Sequence, residues 1–376
     1  FGFLHLSLLS QEIRVRLFAA IDIKTVNIDT RESRYELITD KGKEIKLRRY
    51  QLLRVQVSEN RVQVSDQHGL IGFFEKIVFK PNARSHDLAI ETVKPNLAAR
   101  FYDGLVEISV LNGKLFIVNV VDMENYVAGV VEAESGPKAQ PEFYKAQAII
   151  CRTYALSHLD RHKEEPFNLC DDVHCQVYKG KPRINPDIVE ATLATAGLVL
   201  VDTANQLIIA AFHSNCGGQT INSEDVWSKP TSYLKSVTDT FCLKRRNAVW
   251  RDSIKLGDWF HYLDSMGVDL QDSLKKLQSS YFQQEKRQNF FSVQADTIPL
   301  KVVRKDFKFK SAFFSFSPHQ NFLVFEGRGY GHGVGLCQEG AMQMAEEGFS
   351  YLDILAFYYQ NVFVTHVQQL NPVSEQ

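Results

Sequence analysis

Two neighbouring acids are the first residues whose type and spacing indicate chemistry. The segment before them carries apolar residues at the spacing of one helix face: Met123, Val127, Val130 and Val131. At 100° per residue Glu134 falls back on this face, whereas Glu132 points to the opposite side. We therefore expect Glu132 to be solvated and Glu134 to lie in or beside the core. Burial raises the pKa of a carboxyl group, which suits a general acid. Alternatively, Glu134 reaches water at the helix end or pairs with Arg152.

A second group of residues has the composition of a metal site. His162, Cys170, His174 and Cys175 supply two imidazoles and two thiolates within a short stretch. Such a closed four-ligand set is typical of structural Zn²⁺ and leaves no open position for catalysis. His158, one helical turn before His162, is an alternative ligand. In an oxidising compartment a Cys170–Cys175 disulfide is the competing interpretation.

Two polar, glycine-containing segments follow, HSNCGGQTINSED (213–225) and FEGRGYGHGVGLCQEGAMQM (325–344). Loops of this kind, carried on a scaffold, often bind ligands. Ser214 with a histidine could indicate nucleophilic catalysis, but the G-x-S-x-G turn is absent. The glycines match neither the dinucleotide fingerprint nor the phosphate-binding loop, so no nucleotide cofactor is expected.

The elements that must position these residues are predicted from periodicity. Apolar and polar residues alternate at 13–18, 34–39, 44–49, 53–58 and 61–66, as in half-buried antiparallel strands. Further strands are expected at 71–79, 87–93, 106–111, 114–120, 198–201, 206–212, 299–303 and 311–316. Helices are expected up to Glu134, from Pro141 to about His162, and at 186–196, 257–266, 270–278, 337–346 and 350–359. The fold class is therefore α+β: an antiparallel β-rich part, then a mixed part with an angled helix pair that carries the acid.

Composition limits the function classes. The chain has 376 residues, 44% of them hydrophobic, 23% charged, and a net charge of -1, as in an ordinary globular protein. No basic excess favours nucleic acid as a partner. Six cysteines are too few for a disulfide scaffold.

The apolar start, residues 1–10, is interpreted as the remnant of a signal peptide, or alternatively as a first β-strand. No other stretch is apolar and long enough for a membrane span. We therefore expect a protein exported to the periplasm or cell envelope, without a transmembrane span in its mature chain.

Several motifs together resemble the stage II sporulation protein D family. They are VVEAES and PEFYKAQAIICRTYAL within 130–156, CQVYKG (175–180), FHSNCGGQT (212–220), DVW (225–227), YLKSV (233–237) and GRGYGHGVGLCQEGA (327–341). Together with the patterns above, the resemblance leads us to expect three regions: the signal-peptide remnant (1–10), a β-rich region (11–119) and a catalytic region (120–365) that resembles the family. It departs from the family pattern at Ser135-Gly136-Pro137, which is one residue longer, and at Cys151, Cys216 and Cys337.

The family's members act on the bacterial cell wall, so the resemblance implies peptidoglycan glycan strands as substrate. It implies a lytic transglycosylase that cleaves at N-acetylmuramic acid and leaves 1,6-anhydro ends, with Glu134 as general acid and base. It also supports zinc at the His162, Cys170, His174 and Cys175 set. The residues expected to contact substrate are Arg152, Tyr178, His213, Ser214, Tyr330, His332 and Gln338.

Three alternatives remain open at the level of sequence. A second carboxylate, for which Glu224 and Asp225 are the candidates, would permit hydrolysis instead. A related branch of the family, the amidase enhancers, implies a wall-binding regulator that stimulates a partner amidase without catalysis of its own. A zinc hydrolase is the third, and a zinc site with all four positions filled by protein would count against it.

Overall fold

The computed structural model describes residues 11–82, 87–227 and 230–370. Along the chain these form two compact units, unit 1 ending at Val199 and unit 2 beginning at Leu200. The predicted signal-peptide remnant lies outside the described residues. The predicted boundaries of the β-rich and catalytic regions stay predictions.

Unit 1 is built mainly from strands whose buried residues alternate with exposed ones. They are β1 (Glu12–Leu17), β2 (Thr25–Asp29), β3 (Tyr35–Thr39), β4 (Glu44–Leu47), β5 (Leu52–Ser58), β6 (Arg61–Asp66), β7 (Gly69–Phe74), β8 (Lys76–Pro81), β9 (Leu88–Thr92), β10 (Arg100–Tyr102), β11 (Leu105–Leu111), β12 (Lys114–Asp122) and β13 (Leu169–Cys170). One sheet has the order β13-β1-β12-β11-β8-β3-β4, and the other has the order β10-β9-β2-β5-β6-β7. β1 pairs antiparallel with β12 and parallel with β13, which places Cys170 opposite Arg16.

Three helices complete unit 1: α1 (Met123–Ser135), α2 (Pro141–Ser157) and α3 (Pro186–Ala194). The Asp122 carboxylate caps α1 by accepting from two backbone N–H groups, and Gly136, whose φ is 71°, follows the last residue of the helix. Pro141 starts α2, as expected for a first helical position. α2 ends at Ser157, so the prediction that it runs to His162 was wrong. The residues after α2 form turns, so the position of His162 is not set by helical geometry.

The strand β14 (Leu198–Val201) contains the boundary between the two units in the sequence. Unit 2 then contains β15 (Phe212–His213), α4 (Ser223–Trp227), β16 (Val249–Lys255), α5 (Leu256–Ser265), α6 (Ser273–Gln278), β17 (Phe290–Val293), β18 (Asp296–Pro299), α7 (Leu300–Asp306), β19 (Phe314–His319), β20 (Phe322–Arg328), β21 (Leu336–Cys337), α8 (Gln338–Glu346), α9 (Tyr351–Tyr358) and β22 (Phe363–His366). Short 3-10 helices cover Phe241–Lys244 and Val367–Gln369. An aromatic core around Trp259, Phe316 and Phe325 packs α5 and α7 against the sheet of order β16-β20-β19.

The antiparallel sheets and separate helices confirm the α+β class. The strand predicted at 299–303 was wrong, because this segment is α7. Leu300 and Val303 are spaced three residues apart and both are buried, which fits one helix face. The strand predicted at 71–79 is divided between β7 and β8, and the one at 206–212 is limited to β15. Among the described residues no helix has the length and apolar character required to cross a membrane.

Candidate active site and metal centre

Glu134 lies in the last turn of α1, next to the helix end. Its side chain is half-buried, and its Oε1 accepts a hydrogen bond from the Val177 backbone N–H at 3.0 Å. Burial raises the pKa of Glu134, against the smaller opposing effects of the Val177 N–H and the Lys179 charge. The last turn of α1 carries no basic residue, so the negative end of the helix dipole also disfavours the ionised carboxylate. The prediction that this acid lies beside the core is confirmed.

The prediction that the neighbouring acid, Glu132, is solvated was wrong. Glu132 is half-buried instead of solvated, and its carboxylate accepts from the backbone N–H groups of Arg183 and Ile184 at 3.0 to 3.2 Å. The reason is a loop that returns to α1 from about fifty residues further along the chain. Helix periodicity contains no information about such a contact.

Arg152 pairs with Glu124. The Arg152 side chain is 1% exposed, and its Nε lies 2.9 and 3.2 Å from the two carboxylate oxygens of Glu124. Its other nitrogens donate to the carbonyls of Leu198 and Thr192. Tyr178 is also buried, and its hydroxyl donates to Asn119 at 3.0 Å. These placements favour structural roles for the two residues over the predicted contact with substrate.

The predicted metal ligands come together. One donor atom from each of His162, Cys170, His174 and Cys175 lies within 4.8 Å of the others. β13 supplies Cys170, and the loops on either side of it supply the other three residues. Of the two candidate histidines, His162 belongs to this cluster. The His158 ring instead stacks on Tyr154, with ring centroids 4.1 Å apart.

The spacing of these atoms fits a tetrahedral zinc ion. Bonds of about 2.3 Å to sulfur and about 2.0 Å to nitrogen place neighbouring ligand atoms roughly 3.6 Å apart. Cys175 Sγ lies 3.5 Å from His162 Nε2 and 3.5 Å from His174 Nδ1, and Cys170 Sγ lies 3.7 Å from His174 Nδ1. His162 Nδ1 contacts the Glu165 carboxylate at 2.6 Å, which orients Nε2 toward the sulfurs. The cysteines are unbonded thiols in this structure. The residues present therefore fit zinc.

The loop that follows the metal cluster also holds Glu134. Cys175 is two residues before Val177, the donor to Glu134, and Gly180 closes the loop against α1. A Cβ atom on Gly129 of α1 would lie 2.2 Å from the Gly180 carbonyl oxygen and 2.6 Å from the Tyr178 ring. This close approach requires glycine at position 129, and it fixes the loop beside the acid.

The remaining predicted residues lie in unit 2, on the two polar segments singled out by the sequence. β15 and β21 pair in parallel, with His213 opposite Cys337, and Asn215 forms a bridge with Tyr330. The rings of His213 and His332 lie 5.5 Å apart. His213 Nδ1 bonds the Val334 carbonyl, and His332 Nδ1 accepts from the Val334 N–H. Burial lowers the pKa of His332 to about 4 and holds the pKa of His213 well below its usual value. Both rings are therefore neutral at pH 7.

A cavity of about 470 Å³ opens beside this pair. Its polar and charged lining includes Glu224, Asp225, Arg287, Arg304 and His332. Glu224 is paired with Lys235 at 2.8 Å, and Asp225 accepts from Asn289 at 2.5 Å. Both candidate second carboxylates are thus engaged within unit 2.

The other predicted contacts differ in accessibility. Tyr330 is 46% exposed, Ser214 is half-buried and Gln338 is buried.

Three residues around these sites were not found from the sequence. Glu165 orients His162, Val177 binds Glu134, and Glu339 accepts from both Asn215 and Asn247 at 2.6 Å. The spacing of three residues between His162 and Glu165 was a usable signal. The other two contacts join segments more than forty residues apart, and nothing local indicates them.

Comparison with known proteins agrees with these motifs. Residues 111–201 match the family model described as Stage II sporulation protein. The chain is 29% identical over 263 residues to stage II sporulation protein D of Bacillus subtilis, covering 66% of this chain and 76% of that protein. It is 28% identical over 265 residues to the same-named protein of Bacillus amyloliquefaciens, covering 66% and 75%.

A third relative is the amidase enhancer of Bacillus subtilis, 26% identical over 288 residues, which cover 63% of this chain and 40% of that protein. The family model covers α1, α2 and the whole cluster of His162, Cys170, His174 and Cys175. The resemblance to the stage II sporulation protein D family is therefore confirmed, and the family model matches residues 111–201 of the chain.

Proposed function

We propose that this protein is an exported, cell-wall-directed enzyme, a lytic transglycosylase that cleaves peptidoglycan glycan strands. The observation that carries the proposal is the environment of Glu134. One carboxyl group sits half-buried at a helix C-terminus, with a raised pKa and a backbone N–H that fixes its orientation. A general acid has to hold its proton near neutral pH and present it in a defined direction. The raised pKa of Glu134 favours the first requirement, and the hydrogen bond from the Val177 N–H supplies the second.

The reaction proceeds with one acid. Protonated Glu134 gives its proton to the glycosidic oxygen as the bond between muramyl C1 and that oxygen breaks. The muramyl C6 hydroxyl then attacks C1, and its proton returns to the Glu134 carboxylate. The products are a strand with a 1,6-anhydro end and a strand with a free hydroxyl, and no water is consumed. Ordinary glycosidases need a second carboxylate to attack the sugar or activate water, which an internal attacker replaces.

The cluster of His162, Cys170, His174 and Cys175 would hold a structural zinc ion in this scheme. When bound, the metal supplies only a crosslink. It would join the turns that follow α2, the strand β13 and the loop after β13. This loop carries the Val177 N–H to Glu134. The chain's own residues therefore orient the acid, and all four ligand positions are taken by protein, which argues against a zinc hydrolase.

Unit 2 offers the surface that we propose for glycan binding. The cavity beside His332 is lined by charged groups suited to sugar hydroxyls and N-acetyl groups, and the half-exposed ring of Trp227 lies 5.3 Å from the His332 ring. An accessible aromatic face next to fixed polar groups is suited to a sugar ring. Tyr330 and Ser214 are further candidates for contact because neither is buried.

A second candidate function is stimulation of a partner amidase without cleavage. The observation in its favour is the relative named amidase enhancer, of which this chain covers 40%. A regulator needs affinity for the wall but does not need an acid with a raised pKa. The two functions therefore differ in whether Glu134 is required for a chemical product.

The test compares wild type, Glu134→Gln and the matched control Glu132→Gln on purified glycan strands, intact and stripped of stem peptides. Glu132 is two residues away on the same helix, and glutamine there still accepts from Arg183 and Ile184. Mass spectrometry should find anhydromuramyl ends with wild type and Glu132→Gln. Loss of general acid–base catalysis should lower the rate for Glu134→Gln by roughly 10²–10⁴-fold.

Other outcomes are equally informative. Equal product from folded Glu134→Gln would refute the role of this acid. Reducing ends would mean hydrolysis with a second carboxylate. Absence of products from every variant, with glycan binding retained, would support the amidase-enhancer function.

A further inference from the structure

A second cluster of metal-type ligands lies in unit 2, and it shares no residue with the first cluster or with the surroundings of Glu134. Cys216, Asp239, Cys242 and Cys337 are each buried, and one donor atom from each lies within 4.8 Å of the others. They come from separate segments: the loop after β15, the approach to the 3-10 helix Phe241–Lys244, that helix itself, and the end of β21. Long-range folding has therefore gathered three thiols and one carboxylate at one buried point.

The distances within the cluster suit a single ion. Cys216 Sγ lies 3.4 Å from Cys242 Sγ and 3.2 Å from Asp239 Oδ2. Around a tetrahedral zinc ion, neighbouring sulfurs are about 3.8 Å apart, and sulfur and oxygen are roughly 3.6 Å apart. The observed group is contracted by about 0.4 Å, which small side-chain adjustments can accommodate. An iron–sulfur cluster would hold its cysteines farther apart, because several irons and sulfides lie between them.

Backbone N–H groups point at the sulfurs, as expected for thiolate ligands. Cys337 Sγ caps α8 and accepts from Gly340 N at 3.4 Å and from Cys216 N at 3.2 Å. Cys242 accepts from the N–H groups of Gly217 and Gly218. These donors stabilise negative charge on sulfur whether or not a metal is present, and they form the outer shell that a metal site requires.

The carboxylate is oriented in the same way. Asp239 Oδ1 accepts from the Phe241 N–H at 3.0 Å, and Oδ2 accepts from the buried Tyr358 hydroxyl at 2.9 Å. A Cβ atom on Gly340 would lie 2.4 Å from Asp239 Oδ2 and 2.3 Å from the Tyr358 hydroxyl. Glycine at position 340 thus lets α8 approach the carboxylate directly.

We propose that Cys216, Asp239, Cys242 and Cys337 bind one structural zinc ion. Three soft thiolates with one carboxylate favour zinc over calcium or magnesium, and four protein ligands leave no open position for catalysis. A zinc ion would reduce the charge of the four ionised ligands from −4 to −2. The half-buried Arg287, whose Nη2 donates to the Cys216 carbonyl at 2.6 Å, lies close enough to balance part of the remainder.

This ion would fasten the two polar segments of unit 2 to each other. Cys216 belongs to HSNCGGQT, and Cys337 ends the glycine-rich segment that carries Tyr330 and His332. The inference does not depend on the proposed function, since the ligands lie apart from Glu134 in the chain and take no part in its chemistry.

The experiment measures zinc per chain in the purified full-length protein by inductively coupled plasma mass spectrometry, after removal of loosely bound metal. Wild type should hold about two zinc ions per chain, one at each four-ligand cluster. The variants Cys216→Ser/Cys242→Ser and Cys170→Ser/Cys175→Ser should each lose one. Cys151→Ser is the matched control, because Cys151 is a buried free thiol outside both clusters. It should retain the wild-type content.

If the first cluster binds no zinc, wild type will hold one ion, and only the Cys216/Cys242 variant will lose it. Zinc retained in full by that variant would overturn the proposal. Where the variant fails to fold, two measurements on the wild type decide the question. X-ray absorption of the protein with two zinc ions should give about 2.5 sulfur ligands per zinc, the mean of a site with two sulfurs and a site with three. Peptide mapping without reductant should find no Cys216–Cys242 disulfide, whereas finding one would refute the site.

Discussion

Replacing Arg152 by methionine should destabilise unit 1 strongly and leave glycan affinity unchanged. The sequence placed Arg152 among the substrate contacts, but its side chain is 1% exposed and joins α1, α2 and α3 through Glu124, Thr192 and Leu198. We consider Arg152→Met, which keeps most of the apolar stem and removes the guanidinium. Within the part of the chain that the structure describes, the largely buried Glu124 carboxylate then keeps only the hydrogen bond from the Gly197 N–H.

The expected loss of unfolding free energy in Arg152→Met is large. Breaking a buried ion pair by removing one partner destabilises a protein by about 3–5 kcal/mol, because the other charge stays buried without compensation. Lys145→Met in the same helix is the matched control. Lys145 pairs with Glu142 at 2.6 Å, but these side chains are 28% and 31% exposed. An ion pair that is this accessible to solvent contributes only about 0–1 kcal/mol to stability.

Urea unfolding gives the loss of free energy for both variants. Because the chain has two units, hydrogen exchange measured by mass spectrometry is needed to assign that loss to unit 1. Glycan affinity of the folded Arg152→Met protein, measured below the unfolding transition, should equal that of wild type. The reasoning is refuted if Arg152→Met unfolds at the same urea concentration as Lys145→Met while its glycan affinity falls about tenfold or more.

Two further predictions concern α1. The raised pKa of Glu134 means that the native state keeps a proton which the unfolded chain loses above about pH 4.3, so the stabilisation from this group is lost as pH rises. Glu134→Gln should therefore match wild type in urea midpoint near pH 4 and exceed it at pH 7; equal differences at both pH values would contradict the burial argument. Gly129→Ala should destabilise unit 1 by about 1–3 kcal/mol, because its Cβ would lie 2.2 Å from the Gly180 carbonyl oxygen. The control Gly257→Ala, in α5 with nothing within 4 Å of its Cβ, should be neutral or gain up to about 1 kcal/mol.

Local periodicity was enough to predict the position of the acid. Helix geometry relates residues three and four apart, so the apolar face of α1 could be extended to Glu134 without knowledge of its neighbours. The same rule failed for Glu132, whose partners at Arg183 and Ile184 lie about fifty residues away. The strand predicted at 299–303 was wrong for a different reason, because the spacing of the buried residues Leu300 and Val303 is that of a helix.

The ligands of the first cluster could be predicted from their residue types and spacing, whereas those of the second cluster could not. Four candidate ligands within 162–175 are visible as one short segment, and the sequence left open the choice between His158 and His162 and between zinc and a Cys170–Cys175 disulfide. In the second cluster Cys216 and Cys337 are 121 residues apart, and only the pairing of β15 with β21 brings them together. The sequence signal was cysteine at positions 216 and 337, in two motifs that otherwise resemble those of the family. Its meaning depended on Asp239 and Cys242, which no motif marks.

The raised pKa of Glu134 depends on the CQVYKG loop (175–180) as well as on α1. α1 supplies the position and the unfavourable end of its dipole, and the loop lies against the carboxyl group, to which its Val177 N–H donates. This loop begins at a proposed zinc ligand, Cys175, and is closed by the contact of Gly129 with Gly180. A change at either end of the loop should therefore act on the acid in the same direction. It would hydrate Glu134, return its pKa toward the ordinary value and weaken the general acid, without altering any group that touches the sugar.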